Sequence, residues 1–345
     1  MRRSLSEGRL NSRTVGRIVA FALVLSARLS DRLTAQAAGP DGIQNNGALF
    51  LLFPVGARAV GMGQSAVALE GTGDAAFWNP SGLATLEMDE FALHSATLAA
   101  GATNAVTAFF PRRGIGVLGG AVYLVDYGDQ EVVDSSGTTV ARLSPRNVEL
   151  LAAFATELGG TFVLGVSYKL VEFRVDCSGD CRTVPAGLGV THALDLGGQF
   201  TVGATQALRI GFVLRNIGFP LQVNNRDLAD PLPARLVVGA LYRIDLRPLP
   251  GGDGKQRLDV KLAADVESPW GEVGTPQARV GLDIGYQRLL RVRGGYAFVH
   301  DGVGGPTVGL GVASGSIGVD LAHPFLSGSS LVLANPTYLS FRVTF

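Results

Sequence analysis

Apolar and polar residues alternate along the last eight positions of the chain. Leu339, Phe341, Val343 and Phe345 are apolar, and the residues between them are mostly polar. Successive side chains of a β-strand point to opposite faces, so this pattern predicts a strand with one apolar face. Phe341 and Phe345 on that face are typical of the strand that closes an outer-membrane β-barrel, which pairs with the first strand so that no edge meets lipid. An edge strand of a soluble β-sandwich would alternate in the same way.

The same alternation recurs along most of the chain, in segments of about nine to twelve residues, the length that a tilted membrane strand needs. Such a strand has one face for lipid and the other for the barrel lumen. The predicted fold class is therefore all-β, a transmembrane antiparallel β-barrel of about fourteen strands, and an even number is typical of single-chain bacterial barrels. The predicted strands lie near residues 91–98, 103–110, 115–126, 147–157, 161–174, 188–203, 207–217, 235–246, 257–267, 278–287, 290–299, 307–313, 315–322 and 338–345.

The connections between these predicted strands alternate in length. Bacterial barrels have short periplasmic turns and longer outer loops, so the alternation places Phe345 at the periplasmic end. Two connections break the pattern, a short one near Gly101 and a Pro- and Gly-rich one at 247–256. The tight connections lie near residues 112–113, 159–160, 205, 288–289 and 314.

Composition agrees with a membrane barrel. Charged residues make up 17% of the chain, against about a quarter in soluble proteins, and the mean hydropathy is +0.28. Charges still interrupt nearly every window, which disfavours membrane helices. The formal net charge is +0, so no nucleic-acid partner is expected.

Residues 1–37 resemble an export signal. A basic stretch precedes an uncharged run, residues 18–27, that is too short to span a bilayer as a helix. Ala35-Gln36-Ala37 offers a cleavage site, and a cut after Ala27 is the alternative. A retained membrane anchor is the competing interpretation. The expected localisation is the bacterial outer membrane, with outer-membrane lipid around the barrel.

The chain has two cysteines, Cys177 and Cys181. In an exported protein, such a close pair predicts a disulfide that pins a small loop. A metal site would need further ligands, and His192 is the only nearby candidate. The disulfide is therefore the favoured interpretation, and no metal or other cofactor is expected.

Residues 38–88 lack the alternation of the barrel proper, which we expect over residues 89–345. A fourteen-strand barrel is wide enough to need filling or to hold a pore, so an irregular Gly-rich segment ahead of it predicts a plug in the lumen. Two motifs within it are Gly-Ala-Arg-Ala-Val-Gly-Met-Gly at 56–63 and Phe-Trp-Asn-Pro-Ser-Gly-Leu at 77–83. A nucleotide site is disfavoured, because the glycines lack the strand and helix context of a dinucleotide fingerprint. The candidate residues of these motifs are Gly61, Gly63, Trp78, Asn79, Pro80 and Gly82.

This pair of motifs resembles the N-terminus of the PorV/PorQ family of outer-membrane proteins, within a wider group of barrels similar to the FadL long-chain fatty-acid transporters. Weaker matches lie at 214–218, 232–242 and 292–296. The resemblance implies a FadL-like barrel of fourteen strands with an N-terminal hatch in its lumen. It also implies support for type IX protein secretion. The expected partners are secreted cargo or secretion components, and the barrel assembly machinery through the C-terminal strand.

The face opposite the apolar one carries charges of both signs, which we expect to point into the lumen. Two interpretations remain: a cross-strand ion-pair network that stiffens the barrel and anchors the hatch, or a selective polar channel. Mixed signs favour the network, because opposite charges compensate each other. The charges are Arg209, Arg215, Asp259, Lys261, Asp265, Arg279, Asp283, Arg291, Arg293 and Arg342.

No set of residues supports catalysis, because the four histidines are scattered and no nucleophile motif occurs. We therefore expect a non-enzymatic barrel. The leading hypothesis is that outer loops at 127–146, 218–234 and 323–337 dock secreted protein. The alternative is FadL-like passive transport of hydrophobic small molecules through the hatch, which the Asn79-Pro80 motif suggests. A purely structural barrel is the third hypothesis.

Overall fold

The structure is a computed structural model in which the predicted export signal and residues 38–46 lie outside the described part of the chain. The described residues are 47–98, 101–182, 187–203, 206–223, 229–246, 258–270, 276–287, 289–298, 304–325 and 336–345.

Within the described residues, fifteen antiparallel strands form one sheet that closes on itself. Neighbours along the chain pair, except that β3 pairs directly with β5, and β1 pairs with β15. These pairings close a ring of fourteen strands, to which the short β4 is attached along β5. The strands are β1 (Glu90–Leu98), β2 (Gly101–Arg112), β3 (Gly116–Asp126), β4 (Gln130–Val133), β5 (Thr139–Leu158), β6 (Phe162–Gly179), β7 (Gly187–Val202), β8 (Leu208–Gly218), β9 (Arg235–Leu246), β10 (Leu258–Pro269), β11 (Gln277–Tyr286), β12 (Leu290–Phe298), β13 (Gly305–Ser314), β14 (Ile317–Pro324) and β15 (Thr337–Thr344).

The closed fourteen-strand barrel confirms the predicted fold class, and each predicted strand corresponds to one strand of the ring. The main differences are at β4, which alternation does not predict, and at β5 and β6, which have 20 and 18 residues. Strands β8 to β15 have only 8 to 12 residues. β5 and β6 pair from the turn at 159–161 out to Ala141 and Gly179, so the start of β5 and the end of β6 extend beyond β3 and β7. Apart from the buried Ala141, the side chains of this extension are exposed or half-buried, so it needs no continuous apolar face.

The outward face of the ring is apolar, whereas the inward face carries the charged side chains of the wall together with buried apolar ones. On β15, Leu339 and Phe341 are 47% and 38% exposed, whereas Ser340 between them is 6% exposed. On β10, Val266 is 50% exposed and its neighbour Asp265 is 3% exposed. A soluble barrel would have its apolar face inside, so this inversion fits a wall surrounded by lipid.

Residues 47–86, which we call the luminal segment, run inside the ring. The segment has three 3-10 turns, Leu49–Leu52, Gly73–Phe77 and Pro80–Thr85, and one short helix, α1 (Ala57–Gly61). Most of its buried apolar side chains form one cluster with inward residues of the strands, and Ala57 and Val60 belong to a second, smaller cluster. No helix among the described residues is both long and apolar enough to cross a membrane.

Candidate functional site

Asn79 joins two parts of the luminal segment to the barrel wall. Its Nδ2 donates a hydrogen bond to Val67 O at 2.7 Å, and two wall oxygens, Gly198 O and Phe212 O, lie at 3.4 and 3.3 Å. Its Oδ1 accepts hydrogen bonds from the amide and the hydroxyl of Ser81. Asn79 is 1% exposed, so the side chain fixes the turn that follows it against β7 and β8.

Three other motif residues shape the same turn. Pro80 occupies the first position of the third 3-10 turn, where a missing amide proton has no cost. The Trp78 indole donates a hydrogen bond to Val55 O at 2.8 Å, and the Arg215 guanidinium lies 5.6 Å from its ring centroid. A Cβ at Gly82 would lie 2.7 Å from a backbone oxygen of the luminal segment. These contacts explain why this turn takes an aromatic residue, a proline and a glycine in that order.

Glycines let the luminal backbone lie directly against the wall. Gly63 has a φ of +65°, and a Cβ there would lie 2.5 Å from Val280 O. A Cβ at Gly295 on β12 would lie 2.1 Å from Gly63 N. Likewise, a Cβ at Gly61 would lie 3.0 Å from the Cα of Gly309 on β13. The two predicted glycines therefore face two wall glycines, and a side chain on either partner would push the segment away.

Carboxylates of the wall satisfy backbone amides of the luminal segment. Asp265 Oδ2 accepts hydrogen bonds from Ala66 N at 2.6 Å and from Val67 N at 2.9 Å. Glu90 Oε1 accepts a hydrogen bond from Gly73 N at 2.6 Å. Buried backbone amides need hydrogen-bond acceptors, and the amides of Ala66, Val67 and Gly73 are bonded to side chains rather than to a neighbouring strand. The luminal segment is thus held in place without becoming a strand of the barrel.

Glu70 provides the reverse arrangement, a luminal carboxylate held by wall cations. Its oxygens lie 3.0 Å from Arg209, 3.0 Å from Arg243 and 3.9 Å from Lys261. The Arg209 and Glu70 side chains are only 11% and 12% exposed, so solvent screens this pair weakly. Removing one partner would leave a charge in a poorly solvated place.

Wall charges of opposite sign pair with one another on β10, β11, β12 and β14. Asp283 lies 2.6 Å from Arg291 and 3.0 Å from Arg293, and Arg293 lies 2.6 Å from Asp320. Asp259 pairs with Arg291 at 3.0 Å. The charges therefore compensate one another across four strands. The structure places all ten predicted lumen charges on the inward face, buried or half-buried: Arg209, Arg215, Asp259, Lys261, Asp265, Arg279, Asp283, Arg291, Arg293 and Arg342.

A buried charged cluster on β5, β6 and β7 was not among the predicted site residues. Lys169 Nζ lies 2.7 Å from Asp195 and 3.8 Å from Glu149, and it donates a hydrogen bond to Asn216 Oδ1 at 2.8 Å. The Lys169 side chain is 1% exposed. The alternation along β6 is enough to predict that Lys169 faces inward, because the residue before it, Tyr168, faces outward.

The Lys169 cluster lies beneath a bulge between β7 and β8. The register shifts between Leu194 and Leu196, and Asn216 has a φ of +57°. Asn216 N donates a hydrogen bond to Asp195 Oδ1 at 2.7 Å, which fills the gap in the ladder. Bulges bend a strand and locally interrupt pairing, and they are common next to functional sites.

An outward apolar groove of about 340 Å³ lies at this bulge. Tyr168 and His192 form one end of it, with the Tyr168 hydroxyl 2.5 Å from His192 Nδ1. Behind the groove, a Cβ at Gly218 would lie 2.9 Å from Leu232 Cδ1. Only the backbone of β8 at Gly218 therefore separates the groove from the buried side chain of Leu232. The groove is lined by Tyr168, His192, Ala193, Leu194, Ile217, Gly218 and Phe219.

The remaining predicted sites lie away from the luminal segment. Cys177 and Cys181 are joined by a disulfide, with their Cα atoms 6.0 Å apart, at the C-terminal end of β6. His192, the alternative metal ligand, contacts Tyr168 instead. Across the described residues, no group of three or more His, Cys, Asp or Glu could hold a metal ion. Phe341 and Phe345 are exposed on the outward side, 38% and 68% respectively.

The fold is similar to that of several solved transporters and channels. The toluene transporter TbuX of Ralstonia pickettii is 14% identical with a TM-score of 0.55, over 84% of this chain and 98% of that chain. The toluene transporter TodX of P. putida is 11% identical with a TM-score of 0.54, over 84% and 98%. The CymD monoaromatic hydrocarbon channel is 14% identical with a TM-score of 0.56, over 84% and 97%. No family model and no curated protein matches the sequence.

The chain therefore has the FadL-like outer-membrane β-barrel fold, a closed ring of fourteen antiparallel strands. At identities of 11% to 14% the likeness is one of fold. These three neighbours are described as toluene transporters or as a monoaromatic hydrocarbon channel. None of them is a PorV or PorQ protein, so the finer resemblance drawn from the N-terminal motifs is not shown.

Proposed function

We propose that this barrel lets small hydrophobic molecules cross the outer membrane passively, with the luminal segment as its hatch. The proposal rests on the contacts that hold this segment against the wall. It fills the lumen, yet it is joined to the wall by side-chain hydrogen bonds and ion pairs such as Asp265 with Val67 and Glu70 with Arg209. Such contacts can break without opening the strand ladder, so the segment can shift while the barrel stays closed.

The apolar groove at the β7–β8 bulge supports the same proposal. It faces outward, where the wall is surrounded by lipid, and it is lined by apolar and aromatic side chains such as Leu194 and Phe219. Hydrophobic molecules partition into lipid and apolar sites, so a permeant can collect here. The solved neighbours that share the fold are described as a toluene transporter or a channel for monoaromatic hydrocarbons.

Uptake of labelled toluene tests the proposal directly. The full-length chain is expressed in a host that lacks its own outer-membrane hydrocarbon channel, and initial uptake is measured at low toluene concentration. We expect faster uptake than in cells carrying an empty vector. Equal uptake, with the barrel shown to be folded by its heat-modifiable migration on a gel, would reject the proposal.

A second proposal keeps the docking of secreted protein, because β4 offers a strand edge beside the start of β5, which extends beyond the ring. β4 pairs with β5 on one side, and no pairing of its other edge occurs among the described residues. An exposed edge can accept an extended segment of another protein. A pull-down from outer membranes tests this proposal, with a chain lacking residues 127–138 as the control. Recovery of the same proteins by both chains would contradict docking at β4.

A further inference from the structure

Three buried side chains on the inward face form a closed triangle beneath the groove. Asp195 Oδ1 accepts a hydrogen bond from Asn216 N at 2.7 Å, and Lys169 Nζ donates one to Asn216 Oδ1 at 2.8 Å. Lys169 Nζ also lies 2.7 Å from Asp195 Oδ2. Lys169 is 1% exposed, and Asp195 and Asn216 are fully buried. We call these three residues the polar triangle, because each of them is joined to both of the others.

The polar triangle and the groove lie on opposite faces of the same stretch of wall. Successive side chains of a strand point to opposite faces, so the residue next to an outward groove residue points into the lumen. Each member of the triangle is next in sequence to one residue that lines the groove. The pairs are Tyr168 with Lys169, Leu194 with Asp195, and Ile217 with Asn216.

The polar triangle supplies hydrogen bonds where the bulge interrupts the pairing of β7 with β8. That pairing skips Asp195 and Asn216. The buried amide of Asn216 is bonded to the Asp195 carboxylate instead, and Lys169 holds both side chains. A buried amide without an acceptor is unfavourable, so the carboxylate stabilises the backbone in its bulged form. The bulge in turn places Ile217 beside Leu194 on the outward face.

The groove has the size and the lining for one small hydrophobic ring. Its volume is about 340 Å³, and an apolar cavity of about 150 Å³ already holds benzene. Tyr168 and His192 are hydrogen-bonded to each other, and their rings stack with centroids 5.7 Å apart. The other lining residues are apolar, so a molecule without polar groups suits the groove.

We propose that the polar triangle positions the groove: by fixing the bulge from the inward face, it sets how tightly the groove binds one ring-sized hydrophobic molecule. The proposal rests on the proposed function, because it concerns the groove in which the permeant collects. The triangle residues point away from the bound molecule and act through the backbone that they share with Leu194 and Ile217. They are therefore positioning residues, and the groove residues make the contacts.

Binding in the groove can be measured at His192, which lines it. The purified full-length barrel is labelled with ¹⁵N-histidine, and the side-chain resonances of His192 are identified by their loss in His192→Phe. Toluene is then added in steps, in the same detergent for every variant. We expect a saturable shift of the His192 resonances in the wild type, from which the affinity for toluene follows.

Two substitutions of Asp195 separate its hydrogen bond from its charge. Asp195→Ala removes the acceptor of the Asn216 amide, and we expect the affinity for toluene to fall about tenfold, as for a one-methylene misfit in an apolar pocket. Asp195→Asn loses the charge but keeps an acceptor oxygen, so it should recover most of the affinity. The matched control is Asp320→Ala, which removes a buried carboxylate that pairs with Arg293 at 2.6 Å on the wall and does not line the groove. It should leave the affinity unchanged.

A second variant keeps the test decisive if Asp195→Ala does not fold, as judged by heat-modifiable migration. Asn216→Gly removes the acceptor of Lys169, and glycine readily adopts the φ of +57° at this position, so the affinity should fall here too. An unchanged affinity in the folded variant, or an equal fall in Asp320→Ala, would overturn the proposal. So would a His192 resonance of the wild type that ignores toluene while cells take toluene up. Failure of toluene to enter cells would instead count against the proposed function.

Discussion

Asp265 on β10 accepts a hydrogen bond from the backbone amide of Val67 at 2.9 Å, across 198 positions of sequence. The same carboxylate oxygen accepts a second hydrogen bond from Ala66 N at 2.6 Å. One wall side chain thus holds two consecutive amides of the luminal segment. Because these amides are not bonded to a neighbouring strand, this contact is one of those that hold the segment in place.

Asp265→Ala should loosen the luminal segment without opening the barrel. Two buried amides lose their acceptor, at about 1–3 kcal/mol each. We expect faster leakage of a small polar dye through reconstituted barrels, with unchanged heat-modifiable migration. Asp259→Ala is the matched control, since Asp259 lies on the same strand and face but pairs with Arg291 of the wall. Equal leakage through both variants would show that Asp265 does not hold the segment.

Two adjacent glycines of β12 should tolerate alanine very differently. A Cβ at Gly295 would lie 2.1 Å from Gly63 N, whereas a Cβ at Gly294 meets nothing closer than Thr307 O at 3.9 Å. We expect Gly295→Ala to displace the luminal segment, at about 1–3 kcal/mol for overpacking, and Gly294→Ala to be neutral. The measurement is protease cleavage of the luminal segment in the folded barrel. Similar cleavage in the two variants would argue against the close approach at Gly63.

The buried charge of Lys169 should matter far more than an exposed one. Lys169→Met leaves Asp195 and Glu149 without their cation, so we expect a loss of about 3–5 kcal/mol in unfolding free energy. Arg174→Ala breaks a pair with Asp176 whose side chains are 55% and 48% exposed, so we expect about 0–1 kcal/mol. Urea unfolding in detergent, followed by tryptophan fluorescence, measures both. If the two variants lose similar stability, the assigned role of the cluster is wrong.

The turn between β4 and β5 should open only in acid. The Asp134 carboxylate accepts hydrogen bonds from the hydroxyl and the amide of Ser136 and from the amide of Thr138. These bonds, first of all the one from the Ser136 hydroxyl, lower the pKa of Asp134 below its usual 3.8. A lowered pKa stabilises the turn above pH 3.8 and ceases to do so as the pH falls through the folded-state value. The amide exchange rates of Ser136 and Thr138, each divided by the rate of an unstructured chain at the same pH, should therefore rise only below pH 3.8. Asp134→Asn should remove this pH dependence. Acceleration already near pH 5 would contradict it.

Alternation alone predicted the ring, because a strand between lipid and a polar lumen must alternate. It did not predict β4 or the full length of the β5–β6 hairpin, whose two faces meet similar surroundings. The motif residues Asn79 and Pro80 were identified by resemblance, and only the structure shows which wall oxygens Asn79 contacts.

The bulge left a sequence signal that alternation could have revealed. Outward apolar residues of β8 are spaced by two up to Leu214, and the next one is Ile217. The two residues between them, Arg215 and Asn216, both point inward and are buried. A break of one residue in the period indicates a bulge, but the groove beside it depends on side chains of β6 and β7 that no local pattern brings together.

A reversible cross-link between the luminal segment and the wall tests the central claim most directly. Ala57 N lies 2.9 Å from Ser340 Oγ, so cysteines introduced by Ala57→Cys and Ser340→Cys should lie close enough to form a disulfide. The measurement is the initial rate of toluene uptake by cells that carry this variant, oxidised and then reduced, with the wild-type barrel under both conditions as control. We predict that oxidised cells take up toluene no faster than cells without the barrel, that reduction restores uptake, and that the wild type is unaffected. Equally fast uptake in both states, with the cross-link shown to have formed, would contradict a mobile luminal hatch.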